Sequence, residues 1–95
     1  MTLSWPSKDT NEVLDYSLDW SRRLDGDTIS TSTWTAASTN QDAVLTIGTR
    51  TNTPTTTTVW LSSGTTFKTY ELTNRIVTAG GRTMDQTARI TIKDK

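Results

Sequence analysis

The sequence predicts an all-β sandwich of about seven strands, and three observations support this prediction. Segments of alternating apolar and polar residues follow one another along the 95 residues, as in half-buried strands. Turn residues separate these segments, and no window shows helical periodicity. Thr, which is β-branched and suits an exposed strand face, supplies polarity in a chain of which only 21% is charged. A small barrel is the alternative that this pattern leaves open.

The N-terminal residues 1–11 are polar and contain Pro6, with Trp5 as their one large apolar side chain. We expect them to form an arm or a short edge strand. The rest of the chain, residues 12–95, is expected to form one sandwich domain, because 95 residues are one domain at most.

The next two strands are predicted at 14–20 and 28–35, with a turn at 22–27 between them. The first alternates strictly and places four apolar residues on one face: Leu14, Tyr16, Leu18 and Trp20. In the second, Ile29 and Trp34 fall on opposite phases. Either a β-bulge therefore shifts the register, or one of these two side chains faces outward.

Four more strands are predicted in the second half. The first has Ala43, Leu45 and Ile47 in phase and is followed by a polar connection at 48–54. The other three are expected at about 56–62, 68–78 and 82–93. The pair Gly80-Gly81 suits a two-residue hairpin between the last two, because primed turns need positive φ.

The last hairpin resembles the final two strands of immunoglobulin-like and fibronectin type III domains. Tyr70 lies early in its strand, two residues before the core position Leu72, which matches the tyrosine corner of those folds. The predicted fold is therefore an immunoglobulin-like antiparallel β-sandwich.

The sequence predicts burial for two residues with polar side-chain groups, Trp20 and Asn74. Trp20 ends a four-residue apolar face and is expected to be buried. Asn74 shares the apolar phase of Tyr70, Leu72 and Ile76. A buried amide must be hydrogen-bonded, so we expect Asn74 to bond the backbone of a neighbouring strand or loop.

The composition excludes several classes of function. The chain has no Cys and no His, so it lacks thiolate sites, the commonest general base and the commonest metal ligand. Ten basic residues balance ten acidic ones, which argues against a nucleic-acid footprint. No stretch approaches a membrane span or a signal peptide. We therefore expect no enzyme activity, no cofactor, no metal and synthesis in the cytoplasm.

The tryptophans are the best candidates for a protein interface, where Trp is enriched. Trp60 is out of phase with Val59 and Leu61 and is expected to point away from the face that they bury. Trp5 is expected to anchor the arm, either on its own domain or on a neighbour.

A series of short blocks of residues covers most of the chain: Lys8-Asp9, Val13–Leu24, Gly26-Asp27-Thr28-Ile29, Ser32-Thr33-Trp34, Thr58–Ser62, Tyr70, Thr73-Asn74 and Gly81-Arg82-Thr83. Together these blocks resemble a family of small tailed-phage and prophage virion proteins, the phage fibre–tail adaptors.

This resemblance implies a non-enzymatic structural component of the virion, made in the host cytoplasm, that joins tail and tail fibre. Its partners would be other virion proteins, namely tail, fibre or head–tail connector components, with several copies in a ring. Within the same class, the alternative is a head-decoration protein of the capsid. From another class, the alternative is a carbohydrate-binding adhesion module, for which Trp60 and Tyr16 are the only candidate aromatic residues.

Overall fold

A computed structural model describes residues 2–38, 45–64 and 68–93. These residues form seven strands and one short helix, in the order β1 Thr2–Ser4, β2 Leu14–Asp19, α1 Ser21–Leu24, β3 Ile29–Ser38, β4 Leu45–Asn52, β5 Thr56–Ser63, β6 Thr69–Thr78 and β7 Thr83–Thr91. The predicted all-β class is confirmed.

The strands form two sheets rather than one closed barrel in this part of the chain. The four-stranded sheet has the order β1-β7-β6-β3 and the three-stranded sheet has the order β2-β5-β4. Both sheets contribute to one apolar core, in which Leu18, Val59 and Leu61 of one sheet join Leu72, Ile76 and Ile90 of the other.

The first strand departs from the predicted antiparallel arrangement. β1 pairs in parallel with β7, and an isolated parallel bridge joins Lys8 to Ile92. The arm continues beside β7 because the Trp5 amide donates to Arg89 O and the Lys8 amide donates to Thr91 O. The arm therefore takes the edge-strand form, in the same direction as the last strand of the domain.

The segment predicted as a turn at 22–27 contains a helical turn, α1. The predicted strand accordingly ends at Asp19 rather than at Trp20. An Asp19 carboxylate oxygen accepts a hydrogen bond from the Ser21 amide at the start of the helix. The helix ends in left-handed backbone, at Asp25 with φ of 49° and Gly26 with φ of 88°.

The conflict of phase in β3 is resolved by a bulge. Ile29 and Trp34 are both buried, and the register against β6 shifts between Ile29 and Thr31. The bulge alternative is therefore confirmed, because the extra residue lets both side chains enter the core.

Strand β4 extends further than the sequence pattern indicates. The predicted connection at 48–54 is strand as far as Asn52, after a shift of register between Ile47 and Arg50. The strand is exposed beyond Ile47, so alternation of apolar residues does not mark it. Ala43, predicted at its start, lies outside the described residues.

The hairpin between β6 and β7 is longer than the two residues predicted. The Gly81 amide donates to Thr78 O and the Thr78 amide donates to Arg82 O, which encloses three residues. Of the two glycines, Gly81 alone has positive φ, at 87°. This arrangement is typical of a three-residue hairpin loop whose last residue is left-handed.

Asn74 is fully buried and joins the two sheets. Its Oδ1 accepts hydrogen bonds from Thr57 Oγ1 of β5 at 2.7 Å and from Trp20 Nε1 at 3.1 Å. Its Nδ2 donates to Ser32 Oγ at 2.8 Å and to Thr33 O of β3 at 3.1 Å. The predicted bond to the backbone of a neighbouring strand is confirmed, and three side-chain partners accompany it.

Replacing Asn74 tests this amide. Asn74→Leu keeps the approximate volume but removes the acceptor of the Thr57 hydroxyl and the side-chain donor to the Thr33 carbonyl, while the Trp20 indole N–H keeps only the Thr57 hydroxyl as a partner. We expect it to lower the free energy of unfolding by about 2–5 kcal/mol, since each buried unpaired group costs about 1–3 kcal/mol. Urea unfolding measures the loss. The control Asn52→Leu, at an exposed site, should change it by less than about 0.5 kcal/mol. Equal effects at the two sites would contradict the role of Asn74.

Trp20 and Trp60 provide a second test, because the same substitution should have unequal costs. Trp20 is 2% exposed and Trp60 is 40% exposed. Trp20→Ala should cost about 3–5 kcal/mol, as large-to-small changes of buried aromatic residues do. Trp60→Ala should cost about 1 kcal/mol or less. A loss below about 1 kcal/mol for Trp20→Ala would mean that its indole is not part of the core.

Candidate protein interface

The described residues contain no group of three acidic, His or Cys side chains placed to hold a metal ion. A shallow groove of about 220 Å³ lies on the outer face of the four-stranded sheet, lined by Thr33, Thr35, Thr73 and Arg75. The Arg75 guanidinium is already paired with Asp85 through two hydrogen bonds of 2.8 and 3.0 Å. The Thr73 hydroxyl is paired with the Thr87 hydroxyl at 3.0 Å. The remaining polar lining of this groove therefore comes from Thr33 and Thr35 of β3.

Trp60 lies on the outer face of the three-stranded sheet. It stands in β5 between the fully buried Val59 and Leu61, so the outward phase predicted for it is the one observed. Asp15 of β2 is its partner in register. On the other side, Gly48 of β4 leaves room beside it, since a Cβ at Gly48 would lie 3.8 Å from the Trp60 Cβ. A large aromatic ring is thus presented to solvent at the middle of a sheet.

Trp5 fixes the arm on the chain's own domain. Its ring stacks on Tyr16 with 4.8 Å between ring centroids, and it contacts Trp34 with 6.0 Å between centroids. The Tyr16 hydroxyl donates to Pro6 O at 3.2 Å. The sequence left open whether Trp5 anchors the arm on its own domain or on a neighbouring protein. In the structure, Trp5 packs on its own domain.

Tyr16 and Trp60 do not share an exposed face. Tyr16 is buried and pairs in register with the inward Val59, whereas Trp60 pairs with Asp15 on the opposite face of the same sheet. The two rings therefore cannot together form the aromatic platform that a carbohydrate-binding module would need.

Lys8 is a buried residue that the sequence analysis did not identify. Its Nζ donates to Asp9 O at 2.6 Å and to Ser63 O at 2.7 Å, which ties the arm to the end of β5. Burial lowers the pKa of this amine, while the nearby Glu12 and Asp9 carboxylates partly oppose that effect. A lysine in a polar segment is normally predicted to be exposed to solvent. The residues around Lys8 therefore do not predict that its side chain is buried.

Comparison with known proteins gives one family. The sequence model of the podophage GP4 fiber-tail adaptor protein gp77 family matches residues 8–91. This chain belongs to that fibre–tail adaptor family. No curated protein matches it significantly. The family places the chain among the structural proteins of the phage tail, and an adaptor in a tail binds other virion proteins. Among the described residues, no helix has the length and apolarity required to cross a bilayer.

In this fibre–tail adaptor, two of the blocks that resemble the family meet at one end of the sandwich. Arg82 Nη2 lies 3.2 Å from Asp27 Oδ2 and also donates to Leu24 O. The Gly80 amide donates to Asp27 Oδ1 at 3.1 Å. A Cβ at Gly80 would lie 2.7 Å from Asp27 Oδ2, so any other residue there would displace the Asp27 carboxylate from this position. The loop after α1 is thereby attached to the β6–β7 turn.

The Asp19-Trp20-Ser21 block of the adaptor has a structural role as well. The Arg23 guanidinium lies over the Trp20 ring, 5.0 Å from its centroid. Arg23 Nη1 also donates to Asp85 O of β7 at 2.8 Å. These contacts hold α1 against β7.

Asp27 gives the adaptor a testable acid sensitivity. Hydrogen bonds, first from the Thr78 hydroxyl and then from the Thr28 amide, lower the Asp27 pKa to about 2. Because the Asp27 pKa is lower in the folded state than in the unfolded state, the ionised carboxylate stabilises the fold at pH values above about 4, the usual pKa of an aspartate. This stabilisation is lost as the pH falls towards about 2. Asp27→Asn should therefore be less stable than the wild type at pH 7. Between pH 4 and pH 2, the variant should lose less stability than the wild type does.

Urea unfolding midpoints at pH 7, 4 and 2 measure this difference. Asp25→Asn is the matched control, because Asp25 is exposed two residues away, and asparagine tolerates its left-handed backbone. Asp25→Asn should follow the wild type at all three values. An equal acid-induced loss in Asp27→Asn and wild type would contradict the assignment.

Proposed function

We propose that this protein joins the tail fibre to the tail of a podophage particle by binding one virion protein on each side, without enzymatic activity. The observation that carries the proposal is the family match over residues 8–91. The absence of His and Cys from the sequence is in keeping with a purely structural role.

The proposed contact surface includes Trp60 and the N-terminal arm that carries Trp5. Trp60 supports this because tryptophan at the centre of a protein interface often contributes much of the binding energy. In the arm, Leu3 of β1 is 39% exposed at the edge of the four-stranded sheet. Stacking of Trp5 on Tyr16 would hold this edge in place before a partner arrives, which reduces the entropic cost of binding.

For the fold, we propose an immunoglobulin-like sandwich. In immunoglobulin domains the third, sixth and seventh strands form one sheet, and the second, fifth and fourth form the other. The orders β3-β6-β7 and β2-β5-β4 agree with that arrangement. The first strand differs from the constant-type domain, since β1 lies beside β7 instead of β2. Tyr70, placed early in β6 and 1% exposed, has the position expected of the tyrosine corner.

For the assembly, we propose several copies in a ring around the tail, made in the host cytoplasm and incorporated into the virion. Attachment to nucleic acid is not part of the proposal, because the ten basic residues are balanced by ten acidic ones.

Particles assembled without this protein provide the functional test. Purified wild-type protein should bind these particles and restore fibre attachment and infectivity. Trp60→Ala, although folded, should bind about tenfold or more weakly, as expected when an interfacial tryptophan is truncated. Val77→Ala, an exposed apolar residue of the other sheet, is the control and should bind normally. Fibres that attach equally well without the protein would refute the proposed function.

A further inference from the structure

Charged residues are distributed unevenly along the chain. Of the twenty charged residues, only Asp42 and Arg50 fall within residues 28–67, the stretch that contains β3, β4 and β5. The surfaces of small soluble proteins are about a quarter or more charged, whereas the centres of protein interfaces are depleted of charge. The β3–β5 part of the sandwich therefore has the composition of a surface that becomes buried.

Two free strand edges belong to this part. β3 ends the four-stranded sheet and β4 ends the three-stranded sheet. Of the strand pairs that join one sheet to the other in the described residues, β3 and β4 have the most extensive contact, so they lie on the same side of the sandwich. In the described part of the chain, β6 is the only strand that pairs with β3, and the Ile29 amide at the start of β3 donates to Pro54 O. From Thr31 onwards, alternate residues of β3 direct their backbone N–H and C=O groups away from the sheet.

The four edge strands differ in how they are protected against pairing with another chain. Proteins protect such edges by shortness, charge, proline or a bulge. β1 has three residues, β2 carries Asp15 and Asp19, and β4 has a shift of register next to Arg50. After its bulge at the start, β3 continues from Thr31 to Ser38 in unbroken register, without charge or proline. It is the one edge of the described sheets that has no such protection.

The groove on the outer face lies beside this edge. Thr33 and Thr35 of β3 form one wall, and Thr73 and Arg75 of β6 form the other. A strand added to β3 would direct alternate side chains to the same face, next to the two threonines. Small or β-branched uncharged side chains suit that position, because Arg75 is already neutralised by Asp85.

We propose that the free edge of β3, residues 31–37, is a docking site for an extended, uncharged segment of a partner virion protein, which adds to the four-stranded sheet as a fifth strand. This inference rests on the proposed function, in which the protein binds one virion protein on each side, and it describes how one of those two proteins would be bound. Backbone hydrogen bonds would supply the attachment, and the threonine-lined groove would select side chains.

The test combines a blocked edge with hydrogen exchange. Thr35→Lys places a charge on β3 at an exposed site, and Thr83→Lys places the same charge at an exposed site on β7, away from that edge. With particles that lack the wild-type protein, Thr35→Lys should bind about tenfold or more weakly than Thr83→Lys. In the wild type, peptides covering residues 31–37 should exchange amide hydrogens about tenfold or more slowly when bound to particles than when free.

The outcomes separate the two proposals. Normal binding of Thr35→Lys, with unchanged exchange at residues 31–37 in bound wild type, would overturn the edge proposal alone. Sedimentation should show free wild-type protein as a monomer, and a dimer abolished by Thr35→Lys would mean that a second copy occupies the edge instead. Wild-type protein that does not bind the particles at all would overturn both proposals.

Discussion

The buried Asn74 amide is the interaction on which the rest of the sandwich depends. Its oxygen accepts two hydrogen bonds and its nitrogen donates two, so the amide is fully satisfied. The partners lie on β3, on β5 and just after β2, while Asn74 itself lies on β6. A slip of one residue in β6 would turn the amide to solvent and leave the Trp20 N–H buried without this acceptor. The network therefore fixes the register of β6 and the position of one sheet against the other.

Several charged side chains of the sandwich are paired within the chain. At one end of the sandwich, Arg82 and Asp27 hold the loop after α1. At the opposite end, Lys8 holds the arm against the end of β5. On the outer face of the four-stranded sheet, the pairs Arg75–Asp85 and Arg89–Glu71 connect β6 to β7. Most of these charged groups are engaged within the chain. The charged blocks that resemble the family therefore serve the fold, whereas the uncharged blocks Ser32-Thr33-Trp34 and Thr58–Ser62 lie on β3 and β5, to which attachment is assigned.

The elements predicted well from sequence are those with one buried and one exposed face. Alternation in β2, β5 and β6 identified the core positions, the outward Trp60 and the buried Asn74, because a period of two leaves no other reading of a half-buried strand. The conflict of phase between Ile29 and Trp34 left two alternatives for β3, a bulge or an outward-facing side chain, and the structure has the bulge. In each of these strands, contacts across the sheet leave a local trace in the sequence.

The remaining features leave no such trace. Helix α1 has four residues, too few for a period of 3.6 to appear. The exposed half of β4 has no buried face to impose alternation. The parallel pairing of β1, the stacking of Trp5 on Tyr16 and the burial of Lys8 all depend on contacts between residues far apart in the chain. The order of polar and apolar residues within residues 1–11 therefore does not predict where the arm packs on the domain.

The most direct measurement of the central claim is a double-mutant cycle between Trp20 and Asn74. Trp20→Phe removes the indole N–H but keeps an aromatic ring, and Asn74→Ala removes the amide. If the amide joins the sheets through this bond, the two substitutions should be coupled by about 1 kcal/mol or more in the free energy of urea unfolding. Additive losses, with a coupling energy within about 0.3 kcal/mol of zero, would contradict the account.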